Sequence, residues 1–267
     1  MPSKIERFRA LHAGPSCFVI ANAWDAGSAK MLGSLGFPAL ATSSGAAAGT
    51  LGRRDGQINR GEAIAHAAAI VAATDLPVSA DLENGFGHDL AAVTETVQRA
   101  AAIGLAGCSI EDASGDPAAP IYPIDHATAR IRAAVAAARP TGIVLTARAE
   151  NFIRGQINLD DTIARLLAYQ AAGADVLMAP GLPDLDAVRA VCAAIALPFN
   201  FMAGIRGKSF SVPELAAAGV RRVSLATSLY RAAMTGMIQA AREVADTGTF
   251  GYLDTAIPTG DINALLG

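Results

Sequence analysis

The 267-residue chain is short of several things, and each scarcity removes a class of protein. Cysteine occurs only at positions 17, 108 and 192, an odd and widely spaced set. Such a set makes neither a disulfide framework nor a zinc site, so buried free thiols in a reducing compartment are expected. Basic charge is also thin. With a net charge of -3 and Lys and Arg scattered rather than striped, the chain has no field with which to hold phosphates, and nucleic acid is excluded as a partner. No stretch reaches the roughly 18 uninterrupted apolar residues of a membrane span. The opening MPSKIERFRALHAG is charged throughout and lacks the apolar core of an export signal, which points to a cytoplasmic protein. Nor is there a G-x-S-x-G nucleophile elbow or a G-x-G-x-x-G phosphate loop. The four histidines, His12, His66, His88 and His126, stand at no ligand spacing and read as surface or cap residues. His88 and His126, which follow the third and fourth strands, are the two that could depart from that reading.

What the chain does have is apolar residues, 52% of the total, with only 5% aromatic and an abundance of Ala. Short apolar runs, each followed by an Ala-rich helical segment, predict parallel βα units. The runs are Cys17 to Trp24, Pro38 to Gly45, Pro77 to Glu83, Gly107 to Asp112, Gly142 to Glu150, Asp175 to Ala179, Pro198 to Ala203 and Arg222 to Thr227. Most are preceded by a Gly or Pro helix terminator, as in LGFPAL, TDLPVS and AAGADV. Units of this kind over a length close to the usual ~250 residues predict one α/β domain, a (β/α)₈ barrel spanning 1–267. An open doubly wound sheet is the alternative, but the turn after its first strand would want the missing glycine loop. Ser3 to Ala13 is expected to close the bottom, Ser228 to Thr247 to be the last barrel helix, and the tail to be an arm on a neighbouring subunit.

The strand ends carry the chemistry. In a barrel every strand leaves at the same face, so polar ends converge there. Asp81 and Glu83, two apart, are expected on one side; Glu111 and Asp112 end the next strand under 5 Å away. Carboxylates this close repel unless a cation or protons intervene, and an oxygen-only set selects Mg²⁺ ahead of Mn²⁺. The same residues also serve as helix caps in many proteins. Arg148 and Glu150 end the fifth strand beside Asn151, offering an ion pair with Glu111 or Asp112, or a fork for a substrate carboxylate. Thr42, Ser43, Ser44 and Gly45 offer an anion nest, and Asp55 lies in a polar loop within reach by water.

In order and spacing, NAWDAGSAKMLGSLGFPAL, TSSG, LGRRDGQ, LPVSADLENGFGHD, TVQRAAAIGLAGCSIED, TARAENF and AYQAAGADVLMAPG together resemble the isocitrate lyase and phosphoenolpyruvate mutase family almost from end to end. The resemblance implies a (β/α)₈ barrel, often with its last helix exchanged between subunits, assembled as a dimer of dimers. It implies Mg²⁺ held by Asp81, Glu83 and Glu111, partly through water, with Asp55 outside them. It also implies a 2-oxo acid on the metal with its carboxylate at Ser44 and Gly45, Arg148 beside the reacting oxygens, and Trp24 and Asp25 shaping the pocket. Arg148 and Glu111 are the catalytic candidates; Glu150 and Asn151 join the substrate-binding set.

The sequence departs from the family in three places. Glu83 stands where mutases and lyases carry Asp, Ala113 to Ile124 lacks the K-[KR]-C-G-H lid, and Ala226, Thr227 and Ser228 stand where some decarboxylases place a His. The expected activity is therefore a Mg²⁺-dependent lyase forming an enolate by carbon–carbon cleavage or decarboxylation. A C–P mutase or hydrolase and a non-catalytic oxo-acid binding protein are the alternatives. Ala113 to Ile124 is expected to be a mobile cover.

Overall fold

The computed structural model describes residues 2–267. Its sheet is a closed parallel barrel in sequence order: β1 Phe18–Asn22, β2 Leu40–Ala41, β3 Val78–Asp81, β4 Gly107–Glu111, β5 Val144–Arg148, β6 Val176–Met178, β7 Phe199–Met202 and β8 Arg222–Ser224. β8 returns to β1 through Phe18 opposite Arg222. All eight strands lie inside the expected runs. Before the barrel comes α1 (Lys4–Ala13); between strands run α2 (Ala26–Ser34), α3 (Ser44–Thr50), α4 (Arg60–Ala73), α5 (Leu90–Ala102), α6 (Ile124–Ala138), α7 (Leu159–Ala171), α8 (Leu185–Ala194) and α9 (Val212–Ala217). After β8 come α10 (Ser228–Thr247) and α11 (Thr259–Leu266).

Local chemistry sets these boundaries. Ser3, Asn59 and Ser211 begin their helices with reciprocal caps to Glu6, Glu62 and Glu214, which satisfy amides that a helix start leaves open. The principal core lies between sheet and helices, where Leu82, Ile110, Leu145, Leu166 and Val188 have no exposed surface. Burying each such side chain stabilises the fold by about 1.5–3 kcal/mol.

Two parts of the architecture differ from the sequence reading. The helix over 228–247 forms, but α10 buries none of its residues fully, and its contact with the core is made by Leu229 in the first turn. The tail ends in α11, where the Leu266 carbonyl accepts from the Lys30 ammonium on α2. The second difference is at the barrel floor, where His12 and Arg222 are buried beside Phe8, Phe18 and Ile20. Arg222, 4% exposed, donates to Asn200, Thr146 and His12, none of them charged. Burial pulls the Arg222 pKa down to about 9. Burial, with the Arg222 charge second, pulls His12 to about 3, so the imidazole is neutral. His12 is thus an interior residue joining α1 to the barrel floor, and the expected surface role is corrected. Among the cysteines, Cys108 is buried and Cys17 and Cys192 half-buried; all are free thiols.

Candidate active site

A cavity of about 210 Å³ opens at the carboxyl ends of the strands, walled by Ser44, Asp55, Asp81, Arg148, Ile153 and Thr227 among others. At its centre is Arg148, placed by the last residue of β5 directly across from Glu111 at the end of β4. The guanidinium donates through Nε to Glu150, and its Nη1 stands 3.4 Å from Glu111 and 3.8 Å from Asp81. From the turn after β5, Arg154 reaches back to Glu150 at 3.2 Å and Glu111 at 3.3 Å. Arg154 is a site residue that the sequence reading missed. It sits beyond the strand end, where alternation gives no direction.

Asp81 is fixed by the main chain: its Oδ2 accepts from the Ser44 amide at 3.2 Å and its Oδ1 from the Glu83 amide at 3.3 Å. Glu83 lies past the end of β3 with φ of +48°, so the two-residue strand rule that paired it with Asp81 does not apply to it. It reaches the same region by a left-handed turn, a conformation that costs a non-glycine residue roughly 1–2 kcal/mol. Its Oε1 is buried without a hydrogen-bond partner. Burial first, then the Asp81 and Asp55 charges, pushes its pKa up to about 7. Glu111 is pushed well up by burial and by Glu150, and Glu150 is raised by its own burial. Gly45 matters for Asp55: a Cβ at position 45 would stand 3.2 Å from the Asp55 carboxylate and 3.0 Å from Thr227.

Gly45, Glu83, Glu111 and Glu150 touch wall residues without lining the cavity themselves, and three further candidates sit apart from it. Asp112 does not face the mouth; alternation turns it outward, where it accepts from Arg165, Tyr169 and the Glu150 amide at 3.0, 2.6 and 2.8 Å. The pairing offered between Arg148 and Asp112 is therefore corrected to Glu111. Asn151 is fully buried with its amide on Asp161, and Trp24 packs edge-on against Tyr230 at 5.8 Å; neither belongs to the cavity wall. The segment expected to be a mobile cover is a hydrogen-bonded hairpin: Ala113 bridges Ile121, Ser114 N–H donates to Pro120, and Tyr122 N–H donates to Asp112. It contributes nothing to the cavity wall.

The fit to a cation follows from this arrangement. Two guanidiniums, Arg148 and Arg154, face four carboxyl groups, Asp81, Glu83, Glu111 and Glu150, and burial together with neighbouring carboxylates favours the protonated form of Glu83 and Glu111 until a cation is present. Among the described residues, no three acidic, His or Cys groups form a ready-made cage. That suits Mg²⁺, which usually takes one or two carboxylates and completes its shell with water and substrate oxygens. The unpartnered Glu83 oxygen, and a cavity wall whose ionisable acids are carboxylic with no His or Cys among them, agree with a hard ion.

The sequence pattern of phosphoenolpyruvate phosphomutase matches residues 8–245. The chain belongs to this family. An oxaloacetate decarboxylase from Chromohalobacter salexigens is 30% identical, over 90% of this chain and 84% of that one. A Burkholderia cenocepacia J2315 crystal structure, provisionally named a lyase/mutase, is 50% identical with a TM-score of 0.96, covering 98% and 95% of the two chains. Oxaloacetate acetylhydrolase in complex with its product oxalate is 26% identical with a TM-score of 0.90, covering 99% and 94%. The resemblance read from the sequence and the barrel fold both hold. The oxaloacetate decarboxylase and the oxaloacetate acetylhydrolase are enzymes that break carbon–carbon bonds.

Proposed function

We propose that this family member is a Mg²⁺-dependent lyase that breaks a carbon–carbon bond beside the oxo group of a small 2-oxo acid, with carbon dioxide leaving a 3-carboxy-2-oxo acid. The observation that carries the reading is Arg148, 12% exposed on the cavity wall and ringed by Asp81, Glu111 and Glu150. The oxaloacetate decarboxylase and acetylhydrolase relatives support it. Asp81 and Glu83 would hold the ion, with Glu111 and Asp55 around it through water; Mn²⁺ is the other ion such a set accepts. When bound, the ion supplies positive charge beside the substrate's oxo group.

The protein's own groups do the rest. The Ser44 hydroxyl and Gly45 amide take the substrate carboxylate, which places the oxo oxygen toward Arg148. As the bond to the departing carboxylate breaks, its electron pair moves toward that oxygen, and Arg148 donates to the growing charge. A donor already aimed in this way is worth a factor of about 10² to 10³. Glu150 holds the guanidinium in plane, and Arg154 shares Glu150 and Glu111. Glu111 retains a proton more readily than an ordinary carboxyl, because of burial and Glu150, and is assigned to deliver it to the carbon that has lost carbon dioxide. Trp24 packs against Tyr230 at the start of α10, and Asn151 anchors the turn after β5 to Asp161.

Carbon dioxide needs no protonation as it leaves, which matches the hairpin over 113–122. That segment has no Lys, Cys or His, and a missing general acid costs about 10² to 10⁴ in rate. Purified protein with Mg²⁺ is expected to release pyruvate and carbon dioxide from oxaloacetate, with negligible cleavage of isocitrate or 2-methylisocitrate. Turnover of either isocitrate above roughly 1 s⁻¹, the low end of ordinary enzymes, would overturn the reading.

No helix among the described residues is long and apolar enough to cross a membrane, and the protein is assigned to the cytoplasm as a homo-oligomer, a dimer of dimers. Met237 and Ile238 on α10 are 57% and 44% exposed, and Phe250, Leu253 and Ile257 beyond it 58%, 58% and 59%. A second copy's barrel would cover them, since apolar area of this kind seeks burial. Light scattering that returned a monomer would remove this assignment.

A further inference from the structure

The loop from Leu82 to Asp89 leaves β3 under conformational load. Glu83, Gly85 and Phe86 have φ of +48°, +84° and +58°, and two of these three are not glycine. Strand pairing with β4 ends at the first two residues of the loop, where Leu82 N–H donates to the Ser109 carbonyl and Glu111 N–H to the Glu83 carbonyl, and the Glu83 side chain has no partner at Oε1. Beyond that point Thr96 donates to the Gly85 carbonyl and Arg60 to that of Phe86, and the largest set of bonds comes from Arg130 of α6, which is 1% exposed. Its Nη2 donates to the carbonyls of Asn84 and Gly87, and its Nη1 to those of His88 and Asp89, the His88 bond at 2.5 Å. The Tyr122 ring lies 4.6 Å from the guanidinium, and the Tyr122 hydroxyl is 2.8 Å from His88 Nδ1. Arg130 forms no ion pair with a carboxylate among the described residues, so its charge is spent on main-chain oxygens.

We propose that Arg130 is a positioning residue, which gathers four carbonyls of the strained loop so that Glu83, one residue upstream of the first of them, is presented to the cation. Only a planar fork with several fixed donors serves four diverging carbonyls; an ammonium has three donors on a flexible stem. The Tyr122 ring closes the other side, which fastens the loop after β3 to the hairpin after β4. The inference rests on the reading that Glu83 helps to hold the metal.

The test uses full-length Arg130→Lys, Arg130→Met, Glu83→Gln and the Arg130→Met/Glu83→Gln double variant. The readouts are Mn²⁺ binding by electron paramagnetic resonance and amide hydrogen exchange. Both Arg130 variants are expected to bind Mn²⁺ at least tenfold more weakly and to lose protection at residues 84–89 while the strands keep theirs. The double variant is expected to bind no more weakly than Glu83→Gln, because both changes remove one contribution. If Arg130→Met does not fold, Tyr122→Leu, which uncovers the guanidinium without deleting it, should give the same two changes at smaller size. Native Mn²⁺ affinity in the Arg130→Lys variant, or additive losses in the double, would overturn the proposal. Lost protection in Arg130→Met alongside unchanged Mn²⁺ binding in Glu83→Gln would also overturn it, and would put the fault in the metal reading of Glu83 rather than in the clamp.

Discussion

Arg148→Lys is expected to lower turnover on oxaloacetate by about a hundredfold or more, the usual cost of losing one aimed donor, while the melting temperature moves by only a few degrees. The guanidinium serves three carboxylates at once: Nε donates to Glu150, and Nη1 faces Glu111 at 3.4 Å and Asp81 at 3.8 Å. These neighbours keep Arg148 firmly protonated against the opposing effect of burial. Lysine keeps the charge, so the buried carboxylates are not left wholly uncompensated and the barrel should stand. It cannot keep the geometry. One ammonium drawn toward Glu150 leaves no donor in the plane where the substrate oxygen gathers charge. The loss should therefore appear in kcat more than in KM, since the interaction strengthens as the bond breaks. Near-normal kcat with a melting temperature many degrees lower would make Arg148 a brace between β4 and β5 instead.

The barrel was legible because its punctuation is local. A Gly or Pro before most strands marks where each helix stops, whatever packs around it, and Val78, Val144 and Val176 open strands where the pattern puts them. The carboxylates at the strand ends were legible for the same reason: position along a strand fixes height in the barrel. Directions past the last strand residue were not. Glu83 departs from alternation by a left-handed φ, and Arg154 comes from a turn whose path no periodicity encodes. Asp112 turns away because it is one residue beyond Glu111, so alternation applied strictly would have sent it outward to Tyr169 and Arg165. The proline-rich stretch 113–124 reads as a mobile cover, yet Pro117 and Pro120 sit in a hairpin closed by main-chain bonds between residues 112–114 and 120–122, a pairing that proline content does not encode. Arg130 and Arg222 show the same limit. A buried guanidinium is bound to carbonyls or amides from other elements, and nothing in its neighbours along the chain announces this.

Asp81→Ala is expected to abolish both activity and the response to Mg²⁺ without unfolding the barrel. The two main-chain bonds that Asp81 accepts, from Ser44 at 3.2 Å and Glu83 at 3.3 Å, are long and lie at the cavity wall, where water can replace them. Against that small loss stands relief of repulsion, because Asp81 is the largest nearby charge raising Glu83. The sign of the pH dependence follows from Glu83. Its folded pKa of about 7 lies above its ordinary 4.5, so the folded state holds this proton more tightly than the unfolded chain does. The stability it contributes is complete below about pH 4.5 and is lost as pH rises through 7. Mg²⁺ binds the deprotonated form, so it should raise the melting temperature more at pH 8 than at pH 6 in the unaltered protein. In Asp81→Ala the metal-free protein should lose less stability over that interval, and Mg²⁺ should shift its melting temperature at neither pH. Scanning calorimetry with and without Mg²⁺ at the two pH values decides it: a variant that keeps the full Mg²⁺-dependent shift at pH 8 would show that Asp81 does not hold the ion.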